Sequence, residues 1–66
     1  MILINFKNNL KMLRLENRLT QKELGEKLGF SARTISDWEC GNTEPDLLTL
    51  KKLCALFNVS YEDMLD

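Results

Sequence analysis

The sequence predicts an all-α domain of five short helices, and three observations carry that expectation. Apolar residues recur at helical spacing from Phe6 to Leu65, and no stretch alternates long enough for a core strand. Start and stop signals come in pairs: Thr20, Ser31, Asp46 and Ser60 can each cap a helix, while Gly29 and Gly41 each follow a helical run. The chain has only 66 residues, with no Gly-rich or Ser-rich linker and no internal repeat, so residues 1–66 form a single domain.

The first helix carries Phe6, Leu10 and Leu13 on one stripe, with Asn5 as its candidate N-cap and an end near Asn17-Arg18. Thr20-Gln21-Lys22-Glu23 reads as a capping box, in which Thr20 accepts from the Glu23 amide and Glu23 reaches back; Leu19 and Leu24 flank it as a hydrophobic staple. Helix two therefore starts at Gln21 and stops at Gly29, and at two turns it depends on tertiary partners. Ser31 caps helix three from Ala32 to Cys40, which Gly41 ends. The connection Gly29-Phe30-Ser31 is too short for anything but a sharp angle, the arrangement of a helix-turn-helix. Asp46 caps helix four, with Leu47, Leu50, Leu53, Cys54 and Phe57 assigned to its apolar face, and Ser60-x-x-Asp63 opens a short fifth helix carrying Met64 and Leu65. Met1 to Ile4 is the one stretch that would suit an edge strand.

Composition narrows the function. The chain has no histidine and two cysteines, Cys40 and Cys54, which excludes a Ser-His-Asp triad, a Cys-His dyad and the cysteine and cysteine-histidine zinc sites. No metal, cofactor or enzymatic activity is expected. The apolar start is shorter than a signal-peptide core, and no run approaches the roughly 18 residues of a membrane span. A cytoplasmic protein with reduced thiols is the expectation. A net charge of −1 hides a split: residues 1–33 hold seven basic and three acidic side chains, net +4, and residues 34–66 hold two basic and seven acidic, net −5. Such asymmetry suits one face turned to an anionic partner, and equally a solvated surface with chance clustering.

On a wheel of about 100° per residue, Ile35 and Trp38 share one side of helix three, and Arg33, Ser36, Asp37 and Cys40 share the other. The major groove of B-DNA admits one α-helix, and arginine is well suited to bonding guanine O6 and N7 together. The plainer reading is a surface ion pair between Arg33 and Asp37, four apart. Helix two's N-terminus, with Gln21 as a side-chain donor, suits a DNA phosphate, although Gln21 is also simply a good helix former.

Thr20-Gln21-Lys22-Glu23-Leu24-Gly25, Leu28-Gly29-Phe30-Ser31 and Thr34-Ile35-Ser36-Asp37-Trp38-Glu39-Cys40-Gly41 resemble the Cro and phage-repressor type of helix-turn-helix regulator. The resemblance continues through Pro45, Leu50, Leu53, Phe57-Asn58-Val59-Ser60 and Met64-Leu65, covering nearly all of the chain from Phe6 onward. It implies a compact five-helix, lambda repressor-like domain with helix three in the major groove, binding a double-stranded operator as a homodimer. By position, Ala32, Arg33, Thr34, Ser36 and Asp37 would sit on or beside the bases. Gln21, Asn42 and Lys11 would hold phosphates, and Arg14 and Glu39 would pair to tie the first helix to the third. The chain departs from the family at Gly25, where alanine is common, at Cys40 and Asn42, where a basic or amide residue is usual, and in its acidic Asp37 and Glu44.

Cys54 is expected in the core; Cys40 is the more exposed thiol, either inert or a redox sensor. Leu48, Leu56 and Tyr61 lie off the core stripe, either as a dimer contact or packed under helix one and Met1 to Ile4. Two functions compete: a transcriptional regulator, most simply a repressor, and a protein-binding module or antitoxin-like partner that keeps the fold.

Overall fold

The computed structural model describes residues 5–66. Five helices follow in order: α1 (Phe6–Glu16), α2 (Gln21–Leu28), α3 (Ala32–Cys40), α4 (Leu47–Phe57) and α5 (Tyr61–Leu65). The proposed edge strand at Met1 to Ile4 lies outside the described residues. Helix α3 packs against α1 and α2, while α5 closes the domain against α1 and α4.

The helix boundaries follow from local chemistry, and three joints share one construction. At each, the outgoing helix ends on a residue in the left-handed region, the next residue is apolar, and the third is a Ser or Thr that caps the incoming helix. These joints are Arg18-Leu19-Thr20, Gly29-Phe30-Ser31 and Asn58-Val59-Ser60, with φ of 57°, 83° and 55° at their first residues. The apolar residue's amide reaches back five positions, Leu19 N to Arg14 O at 3.0 Å, Phe30 N to Gly25 O at 2.8 Å and Val59 N to Cys54 O at 3.0 Å, which satisfies a carbonyl the helix end would otherwise strand. The cap hydroxyl accepts from the amide three residues on, in Glu23, Thr34 and Asp63, and such a cap stabilises a helix by about 1 kcal/mol. At Thr20 the full box is present, with the Thr20 amide donating to Glu23 Oε1 at 2.9 Å. Helix α3 ends the same way on Gly41 at φ 79°, with Asn42 N bonded to Asp37 O at 2.9 Å.

The core is Phe6 and Leu10 from α1, Leu24 from α2, Ile35 and Trp38 from α3, Leu50, Leu53 and Cys54 from α4, and Met64 from α5. Each fully buried large side chain is worth about 1.5–3 kcal/mol over its exposed state. Two expectations need correction. Leu47, assigned to the apolar face of α4, is 69% exposed; it heads the helix, and the stripe states a side without stating how far along the axis the neighbours reach. Thr49 is buried in its place. Asn5 stands at the N-cap position of α1 without its oxygen accepting from an α1 amide; its side chain is oriented by donating from Nδ2 to the Asp66 carbonyl at 2.8 Å. Asn9 does the same to Met64 O at 2.9 Å, so α1 side chains satisfy the last carbonyls of α5. Among the described residues no helix is long and apolar enough to cross a membrane.

Candidate nucleic-acid interface

Helices α2 and α3 meet across the three-residue joint, and two features hold their angle. Gly25 is buried on α2 directly under the joint, where a Cβ would collide with the carbonyl of Phe30. Glycine weakens α2 by about 1 kcal/mol relative to alanine, but here it admits the close approach. Phe30 then lays its ring edge-on to Trp38, centroids 5.1 Å apart, and such a pair adds about 0.5–1.5 kcal/mol beyond its buried area.

With Ile35 and Trp38 buried beneath it, α3 turns the opposite side outward. Arg33 stands in its first turn with its side chain 86% exposed, and Asp37, 28% exposed, follows one turn later with Oδ1 3.4 Å from Arg33 Nε. That distance makes a loose, solvent-screened pair, which leaves the guanidinium free to reorient. Ser36 is half-buried beside them, and Cys40 is exposed at the end of the same face. Ala32 and Thr34, carried over by resemblance, are both half-buried. The Thr34 hydroxyl lies 3.1 Å from that of Ser31, so it belongs to the cap as well as to the surface.

Behind this face sits the pair expected from the resemblance. Arg14 donates from Nε to Glu39 Oε2 at 2.6 Å and from Nη2 to Oε1 at 3.0 Å, and its Nη1 donates to the Leu19 carbonyl at 2.8 Å. The two side chains are 9% and 4% exposed. Hydrogen bonding to Glu39 raises the Arg14 pKa above its ordinary value against the opposing effect of burial. One arginine thus joins α1, the joint before α2 and the end of α3.

The candidate phosphate ligands divide. Gln21 donates to Glu39 Oε1 at 3.3 Å, so its amide is aimed by the buried pair while its second N–H stays available. Asn42 and Lys11 are exposed. Lys7 was not singled out from the sequence, yet its side chain lies on Gly41, with Nζ 3.6 Å from where a Cβ would stand. Its signal was present in the spacing, because Lys7, Lys11 and Arg14 form one i, i+4, i+7 stripe.

Leu48, Leu56 and Tyr61 are 63%, 39% and 48% exposed on α4 and at the start of α5. Cys54 is buried with its thiol pKa raised by desolvation, and Cys40 is a free, exposed thiol.

Comparison with known proteins agrees with this geometry. A helix-turn-helix family model matches residues 10–64. An HTH-type transcriptional activator of Enterococcus faecalis, BcrR, is 36% identical over 62 residues, 94% of this chain and 30% of the relative. An uncharacterized HTH-type transcriptional regulator of Methanocaldococcus jannaschii is 41% identical over 58 residues, covering 88% of both chains. Antitoxin PezA of Streptococcus pneumoniae is 36% identical over 56 residues, 85% of this chain and 35% of the relative. The chain thus spans 30% of the activator and 52% of a Bacillus subtilis regulator that it also matches. No solved structure matches it. A capped α2, a three-residue joint and an outward-facing α3, matched along nearly the whole domain by the family model, make this chain a member of the helix-turn-helix family of DNA-binding transcriptional regulators.

Proposed function

We propose that the chain is a sequence-specific reader of double-stranded DNA that regulates transcription without catalysing a reaction. It acts in the cytoplasm, most simply as a repressor, and binds a pseudo-palindromic operator as a homodimer. The observation that carries this reading is the outer face of α3, where Arg33 is 86% exposed beside Ser36 and Asp37 while the inner face is locked into the core. In this reading α3 enters the major groove, and Ala32, Arg33, Thr34, Ser36 and Asp37 face the bases. Gln21, Asn42 and Lys11 hold the phosphates that set the register. The buried Arg14–Glu39 pair keeps the two sets in one rigid body.

One helix of this length reads too few base pairs for useful affinity, and two-fold symmetry doubles the contacts. The exposed Leu48, Leu56 and Tyr61 supply the apolar surface for that association. Half-site centres about one helical turn apart, roughly 34–36 Å, follow from the docking geometry of helix-turn-helix dimers. Selection of bound duplexes from a random pool tests all of this together. An enriched inverted repeat with that spacing is expected; no enrichment, or a single asymmetric half bound by one chain, would overturn it.

The acidic second half, with a net charge of −5, favours a second reading as a protein-binding or antitoxin-like module, and one relative is named an antitoxin. That reading expects no enriched sequence in the same selection.

A further inference from the structure

We infer that Lys7 is a DNA phosphate ligand, forming with Lys11 and Asn42 a cationic and amide cluster at the C-terminal end of α3. The inference rests on the DNA reading above and adds a residue to it. The Lys7 stem crosses from the first turn of α1 onto Gly41, its Cδ 3.2 Å and its Nζ 3.6 Å from the position of an added Cβ. A side chain at position 41 would press on the stem and push it off its present place. The left-handed φ of 79° favours glycine there, and its bare backbone gives the lysine stem room to lie down.

The ammonium is thereby held beside the residue that turns the chain from α3 into Asn42. Asn42 is itself fixed, through its amide, to the Asp37 carbonyl at 2.9 Å, so its exposed side chain and the lysine keep a common frame with Asp37 on the reading face. Lys11 follows one turn along α1 on the same stripe. Arg14, at the stripe's far end, is committed to Glu39; Lys7 and Lys11 are exposed. A lysine whose stem is laid down on backbone and whose head remains in solvent is already oriented before DNA arrives, so less side-chain freedom is lost on contact.

A structural role competes, because the carbonyl end of α3 also attracts a cation. Salt dependence separates the two. A phosphate contact releases counterions from DNA, whereas a helix-end contact acts on stability alone.

The test uses the full chain and the duplex enriched from the random pool, with affinity measured by fluorescence anisotropy from roughly 50 to 200 mM KCl. Lys7→Met keeps the stem on Gly41 and removes the charge. The slope of log affinity against log salt is expected to fall by about 0.9 per protomer, with base preference and melting temperature unchanged, and Lys7→Arg is expected to restore it. An unchanged slope in Lys7→Met overturns the inference, with or without a lowered melting temperature. A wild-type chain that binds no duplex at any salt overturns the DNA reading itself, an outcome visible before any Lys7 variant is compared.

Discussion

Replacing Arg14 with alanine should do more damage than any surface change in this domain, and the size of the loss follows from its partners. The substitution removes two bonds to Glu39 and one to the Leu19 carbonyl. It leaves a carboxylate that is 4% exposed with Gln21 at 3.3 Å as its remaining side-chain donor. Breaking a buried pair from one side costs about 3–5 kcal/mol. A domain of this size holds roughly 3–10 kcal/mol in total. With about 4–8 °C lost per kcal/mol, the melting temperature measured by circular dichroism should fall by at least about 12 °C. The double variant Arg14→Met/Glu39→Leu strands no charge and should recover most of the loss. Because the raised Arg14 pKa lies above the ordinary arginine value, the arginine's share of stability is present at every lower pH and fades only as pH rises through the folded value. A melting temperature within about 3 °C of wild type would refute the reasoning, as would a double variant less stable than either single one.

Arg33→Ala should cost about 1–3 kcal/mol of specific binding per half-site and relax the preference at one base pair; equal weakening on all sequences would make it a phosphate contact. Asp37→Asn keeps the shape and removes the charge, so non-specific affinity should rise while preference at one base pair falls, because the carboxylate repels DNA except where a cytosine amine meets it. An unaltered selected sequence would show that Asp37 reads no base. Arg18→Gly relieves a left-handed residue at φ 57° and should stabilise the domain by about 0.5–1 kcal/mol, seen as a raised urea midpoint; a lowered midpoint would show that the arginine side chain has a structural partner. Glu23 and Asp46 have their pKa values lowered by hydrogen bonds from Thr20 and Thr49 respectively. Their stabilisation is therefore present above the ordinary 4.5 and 3.8 and lost as pH falls through the lower folded values. Glu23→Gln and Asp46→Ala should flatten the acid limb of a stability-pH curve, and an unchanged limb would remove the caps as its cause.

The helix boundaries were legible because they are local chemistry. Thr20, Ser31, Asp46 and Ser60 each bond an amide three residues ahead, and nothing distant is needed to see it. The end of α1 near Asn17-Arg18 was legible too, but the left-handed turn at Arg18 was not, since arginine in isolation disfavours that region. Asn5 failed as a cap for a related reason: its side-chain N–H is held by a carbonyl 61 residues away, and its oxygen accepts no α1 amide. On the site, the outward side of α3 followed from periodicity. The aiming of Gln21 by Glu39 and the resting of Lys7 on Gly41 did not, because both join residues from different helices whose crossing no single-helix pattern encodes.

The joint before α3 also constrains how such a domain can change its target. The Gly29 and Phe30 amides both donate to Gly25 O and the Ser31 hydroxyl caps α3, and Phe30 is docked on Trp38. A residue gained inside α3 ahead of Asp37 would turn the downstream half by about 100° and carry Asp37 into the buried place of Trp38, and a residue lost there would carry Trp38 into the outward place of Asp37. If this face reads DNA as proposed, new specificities would be reached by exchanging side chains at fixed positions, and an insertion or deletion in this stretch would be a dead end. The side chains on the outer face of α3 can vary; its length cannot.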